Sequence, residues 1–113
     1  MRLQYSELEN GIRLIKLNGT LDTGGVARVE VDFVRCCSGE NVCVLVDLSK
    51  VNYISSIGIP LLINSAKAVT KNGGKMILLH PQNNVENILE LTGIPLIIPI
   101  HHDLKTAVEA VRH

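Results

Sequence analysis

The chain has 113 residues, with eleven basic and eleven acidic side chains that leave no net formal charge, and apolar types make up 46% of it. That length suffices for one core, so a single domain over residues 1–113 is expected, with no linker needed. Balanced charge excludes the basic footprint of a nucleic-acid or anionic-membrane binder, and nothing approaches the ~20 consecutive apolar residues of a membrane span; a cytoplasmic protein that recognises another protein is the class left.

Met1-Arg2-Leu3-Gln4-Tyr5 opens a strand-like alternation in place of a signal peptide. Leu3 to Leu8 and Ile12 to Leu17 read as two strands joined at Glu9-Asn10-Gly11, where Asn-Gly is a hairpin signal. Asp22 or Thr23 can cap a first helix, in which Val26, Val29, Phe33 and Cys36 or Cys37 recur at helical spacing before Ser38-Gly39 ends it. Val42 to Val46 is a continuous apolar run, the pattern of a strand covered on both faces, and Asp47 ends it. Tyr53-Ile54 then leads into Ser55-Ser56-Ile57-Gly58. From near Ile57 a helix follows, with Ile59, Leu62, Ile63, Ala66 and Val69 on one side and Lys67 and Lys71 on the other.

Asn72-Gly73-Gly74 closes that helix, and Met76 to Leu79 forms a fourth strand, stopped by Pro81. A short helix carries Val85, Ile88, Leu89 and Thr92 and ends at Gly93-Ile94. Pro95 to Ile100 reads as a fifth, edge strand, because its flanking prolines cannot donate to a ladder. Asp103 caps a last helix with Leu104, Ala107, Val108 and Val111 on one face. The order ββαβαβαβα predicts an α/β domain, a mixed sheet of four to five strands with about four helices and a core of Ile, Leu and Val.

The two serines at the entrance of the second helix are the candidate site. Free backbone N–H groups and the positive end of the macrodipole are found at such an entrance, so a phosphate there is tolerated by its own helix while it alters the surface shown to a partner. Pro60 cannot donate to the Ser56 carbonyl and crowds it, which places Ser56 before the first full turn. The simpler alternative makes Ser55 or Ser56 an N-cap, worth about 1 kcal/mol. Asp22 has a cap as its simpler role. Asp47 has a strand-end hydrogen bond to loop N–H groups.

Asp47-Leu48-Ser49, Tyr53-Ile54 and Ser55-Ser56-Ile57-Gly58-Ile59 follow one another in the order and spacing of the signature of STAS domains, the sulfate transporter and anti-sigma-factor antagonist family, which the chain resembles. Asn18-Gly19-Thr20-Leu21-Asp22 is similar to the family's element before its first helix, and Asn72-Gly73-Gly74-Lys75 to its turn into the next strand. The resemblance spans nearly the whole chain. It implies a STAS-like fold without catalysis or cofactor of its own. It implies too that Ser56, with Ser55 as second choice, is phosphorylated by a partner anti-sigma factor serine kinase and reset by a serine phosphatase. The implied contact surface is Asp22, Thr23 and Gly24 together with Ser55, Ser56, Ile57, Gly58, Ile59 and Pro60, with Asp47 in support near the serine. Ser55 stands where the family commonly has Asp, and Pro60 where a small residue is usual.

Two alternatives compete with this switch. One is an unphosphorylated STAS scaffold or ligand-sensing module in a bacterial signalling complex. The other is a receiver-like or flavodoxin-like enzyme built on Asp47, but a receiver needs an acidic pair after its first strand and Leu17-Asn18-Gly19 offers none. A hydrolase fares no better, since no glycine precedes the serines as in a nucleophile elbow and no His is placed as an evident base. Cys43 reads as a small buried hydrophobe, and Cys36-Cys37 as reduced thiols at a helix end. His101, His102 and His113 read as solvated loop and tail residues without metal-ligand spacing.

Overall fold

Why the chain makes one sheet flanked by helices follows from its periodicities. In β2 (Arg13–Leu21), Ile15 and Leu17 face one way and Leu14 the other; in β3 (Cys43–Ile54), Val44 and Val46 oppose Leu45, so both strands bury both faces. The computed structural model describes residues 1–112, and the expectation for His113 lies outside the described residues. With β1 (Arg2–Glu7), β4 (Lys75–Leu79) and β5 (Ile100–His101), these strands form a five-stranded sheet in the order β1-β2-β3-β4-β5. β1 runs antiparallel to β2 and the other pairs are parallel. The turn of the β1–β2 hairpin holds Asn10 and Gly11 at φ 68° and 76°, the left-handed pair for which Asn-Gly is suited.

Three crossovers in one direction place α1 (Thr23–Cys36), α2 (Gly58–Lys71) and α3 (Asn83–Leu91) on the same face, where Phe33, Leu62 and Leu89 join Ile15, Val46 and Leu78 in the main core. α4 (Leu104–Val111) covers the opposite face with Ala107 and Val111, against Leu14, Leu45 and Ile77. Asp103 caps it as predicted, accepting from the Lys105 and Thr106 amides at 3.3 and 3.2 Å. Predicted fold class and element order are both observed.

Five expectations change. β3 does not end at Asp47 but continues to Ile54, and β2 continues to Leu21. Two register shifts interrupt the β2–β3 ladder, between Lys16 and Asn18 and between Gly19 and Thr20. Each adds a residue to one strand, so the buried side chains of β3 beyond the first irregularity, Leu48, Val51 and Ile54, come three apart and the period of two is lost to the eye. The expected strand Pro95 to Ile100 shrinks to Ile100–His101, because Ile94–Leu96 closes a 3₁₀ turn with Pro95 in its first positions, where a fixed φ and a missing N–H cost nothing. His101 is therefore a strand residue and half-buried, whereas His102 is exposed and lies 2.8 Å from Glu86. Cys43 is half-buried, its thiol 3.3 Å from the Val111 carbonyl at the end of α4, a helix too short to cover it fully.

Cys36 and Cys37 are free thiols at the end of α1, and burial raises the pKa of both, that of Cys37 to about 12, against the opposing pull of the Arg13 guanidinium. A redox thiol needs the reverse shift. Alkylation by iodoacetamide at pH 8 should therefore be much slower at Cys37 in the folded chain than at Cys37 in the chain unfolded in urea; equal rates would contradict the burial. Only the unfolded chain ionises Cys37 above its ordinary value near 9, so this stabilisation is complete below that pH and is lost as pH rises toward about 12.

Candidate functional site

β2 and β3 end side by side, Leu21 paired with Ile54, and each delivers the chain into a helix on the same face. The Ser55 amide donates to the Leu21 carbonyl at 2.9 Å, and the Ser55 hydroxyl donates to the same oxygen at 3.1 Å. The Gly58 amide then donates back to the Ser55 carbonyl at 3.0 Å, closing a four-residue turn with Ser56 and Ile57 at its tip. Ser56 is exposed, and its hydroxyl makes no hydrogen bond to any described residue; Ser55 is half-buried and committed to Leu21. The two adjacent serines therefore differ chemically: one hydroxyl is held, the other is offered.

Neither serine caps α2. Its N-cap is Ile57, with no side-chain hydrogen bond, which corrects the simpler reading. The Ser55 hydroxyl is already spent on Leu21, and the Gly58 amide, which lies within capping reach of both serines, donates to the Ser55 carbonyl instead.

Glycine makes the turn possible. A Cβ on Gly58 would stand 3.0 Å from the Leu21 carbonyl oxygen and 3.0 Å from Ile54 Cγ1. Gly58→Val should thus cost about 2 kcal/mol through this crowding, read as a lowered midpoint of urea denaturation; an unchanged midpoint would show that the turn has slack.

The companion loop begins at Asp22, whose carboxylate accepts from the Gly25 amide at 2.8 Å and caps α1, as expected. Thr23 and Gly24 follow, both exposed. Thr23, Ile57 and Pro60 line one continuous depression, so the two loops form one surface. Of the predicted contact residues, Asp22, Thr23, Gly24, Ser56, Ile57 and Pro60 are exposed there and Ser55 is half-buried, whereas Gly58 and Ile59 are buried and can only support the surface. Asp47 does not stand near Ser56. It lies seven residues before Ile54 on β3, roughly 20 Å of extended chain away, and its carboxylate accepts from the Ser49 amide at 2.9 Å beside the bulge.

Sequence reasoning missed the Leu21 carbonyl, on which the whole turn is hung. A residue that acts through its backbone leaves no side-chain signal; the Leu-Asp step into a helix was the available clue. It also missed Gly25, whose Cβ would fall on the Thr20 carbonyl, although Gly-Gly inside a helix start is itself a mark of close approach. The turn carries no charge of its own, since no charged residue occurs in the sequence from Val51 to Ala66.

The family profile described as "STAS domain" matches residues 6–107. The chain belongs to the STAS domain family. It is similar to a Thermotoga maritima protein provisionally named an anti-sigma factor antagonist, with 35% identity over 65 residues, which spans 58% of this chain and 58% of that relative's length. In structure this STAS domain is similar to an anti-sigma factor antagonist from Mycobacterium paratuberculosis, at 20% identity and a TM-score of 0.88 over 99% of this chain and 94% of that one. It is also similar to the Bacillus cell fate determinant SpoIIAA in its phosphorylated form, at 17% identity and a TM-score of 0.70 over 98% and 100%. The predicted STAS fold is thereby shown. Among the described residues no helix is long and apolar enough to cross a membrane, and no group of three or more His, Cys, Asp or Glu could hold a metal ion.

Proposed function

We propose that this STAS domain is a cytoplasmic bacterial anti-sigma-factor antagonist. It binds a kinase-type anti-sigma factor while Ser56 is unmodified and releases it once that kinase has phosphorylated Ser56. The observation that carries the reading is the turn tip: Ser56 is exposed and free of internal hydrogen bonds, while Ser55 is half-buried and bonded to Leu21. A kinase must draw the acceptor hydroxyl into its own site, which an untethered serine permits. Ser56 is therefore the acceptor and Ser55 the strut.

The charge pattern supports the release step. A phosphoserine brings up to two negative charges to a turn that has no cation of its own, beside exposed Ile57 and Pro60 and the carboxylate of Asp22. A partner surface complementary to the neutral, apolar turn would have to desolvate those charges without compensation. Likeness to a protein whose structure is known in a phosphorylated form supports the same reading. The chain itself needs no active site, since the partner supplies nucleotide, metal and catalysis and a serine phosphatase resets the switch.

The test is intact-mass analysis with peptide mapping, after the purified chain has been incubated with ATP and each anti-sigma-type kinase of its organism. One phosphate on the Val51–Lys67 peptide, absent in Ser56→Ala, is the expected result. No phosphate from any of these kinases would transfer the assignment to an unmodified scaffold.

A further inference from the structure

The depression that begins at the Ser56 turn does not stop there. α1 and α2 lie side by side and run in the same direction from that end of the sheet, and the cleft between them extends to Asn72 at the far end of α2, enclosing about 670 Å³. Its walls are mostly apolar, and Val34, near the far end of α1, is 52% exposed while Ile57 at the mouth is 44% exposed. Glu30 is the one charged residue among the described residues that line it.

We propose that this α1–α2 groove is the second half of the partner surface, and that it receives an amphipathic helix of the same anti-sigma factor, with apolar side chains toward Val34 and Pro60 and a basic residue against Glu30. The inference rests on the reading of Ser56 given above and extends it. Three observations favour a helix of that partner. The groove is continuous with the switch, because Thr23, Ile57 and Pro60 belong to both. It is open along its length and two parallel 14-residue helices bound it, the geometry in which an apolar helix face is received. Its lining is acidic at one point and basic at none, so a partner that brings a cation is matched, whereas a second copy of the chain would bring another Glu30 to a surface with no Lys or Arg to meet it.

A small ligand fits less well. Small-molecule sites enclose their ligand and fix it with convergent polar groups, and among the described residues no buried side-chain polar atom is left unpaired to do so. The proposal assigns the two regions separate tasks. The groove supplies affinity, through apolar contact that phosphorylation does not touch. The Ser56 turn decides whether that contact can be completed.

Val34→Lys and Ala68→Arg test this, because both positions are exposed, line the groove and lie away from Ser56; Ala68 is ten residues beyond Gly58, about 15 Å of helix. Unchanged thermal unfolding would establish that the variants fold. Affinity would be measured by titration calorimetry of the unmodified chain against the purified kinase that phosphorylates Ser56. The expected result is at least tenfold weaker binding for each variant, with Glu30→Lys weakened as well, while phosphorylation of Ser56 at saturating kinase still goes to completion. Binding within twofold of wild type by Val34→Lys and Ala68→Arg, alongside a Ser56→Asp variant that binds poorly, would overturn the groove and leave the switch standing. If the wild-type chain binds none of the kinases, the switch reading falls and takes the groove's assignment with it. A wild-type dimer in sedimentation that Ala68→Arg dissociates, or a small apolar molecule that co-purifies and is lost in Val34→Lys, would likewise overturn the proposal in favour of those occupants.

Discussion

Ser56→Asp should weaken binding to the anti-sigma-type kinase by about a hundredfold, ~2.8 kcal/mol, while Ser56→Ala should bind as tightly as the unmodified wild type and resist release in the presence of ATP. The magnitude follows from desolvation. A single carboxylate buried at an interface without a partner costs several kcal/mol, and Ser56 lies within a stretch, Val51 to Ala66, that contains no charged residue to offset it. Both variants should fold normally, because the Ser56 hydroxyl makes no bond to any described residue and the side chain is exposed. The paired control is Ser55→Ala, which removes the hydrogen bond to the Leu21 carbonyl and should lower stability by about 1 kcal/mol without abolishing phosphorylation. Equal affinities for wild type, Ser56→Ala and Ser56→Asp would remove Ser56 as the switch.

The largest expected stability difference lies between two adjacent glycines. Gly25→Ala should destabilise the chain by about 3 kcal/mol, roughly 12 °C in melting temperature, whereas Gly24→Ala should stabilise it by about 0.5 kcal/mol. Both residues are in the first turn of α1. At Gly25 a Cβ would overlap the Thr20 carbonyl oxygen, a backbone atom fixed in β2 that cannot step aside, with Asp22 Oδ1 at 3.3 Å on the other side. At Gly24 the nearest atom is Asp22 Oδ1 at 3.8 Å, so alanine adds helix propensity and meets nothing. Thermal denaturation followed by circular dichroism reads both. Similar midpoints for the two variants would mean that the packing of α1 against β2 has room that the distances deny.

Much of this architecture was legible because its signals are local. Asp22 and Asp103 mark helix starts through side chains that cap the very turns they precede, and Asn10-Gly11 marks a hairpin through its own backbone angles. What escaped depends on a partner elsewhere in the chain. The extension of β3 past Asp47 becomes visible only once β2 lies beside it and the register shifts are seen to return Leu48, Val51 and Ile54 to the core. The serines looked like caps because a hydroxyl before a helix usually is one; here the Leu21 carbonyl, thirty-four residues upstream of Ser55, claims one hydroxyl, and the Gly58 amide that either serine could have capped donates to the Ser55 carbonyl. Asp47 was assigned to the serine's neighbourhood by a family pattern read along the chain, and the long strand between them carries it away.

The order of the strands across the sheet is their order in the chain, and this bears on how the molecule comes into being. Every strand pairs with the one synthesised just before it, so no partner has to be awaited from a distant part of the message. The β1–β2 hairpin can close within microseconds of leaving the ribosome, and each later strand finds its docking edge already laid down. Growth is then vectorial, one helix-strand unit at a time, with α4 arriving last to shield the second face. Each parallel pairing still spans a whole crossover, Leu14 meeting Leu45 and Leu45 meeting Ile77, so these closures are the slow steps, and docking in chain order limits the time for which an unpaired parallel edge is open to aggregation.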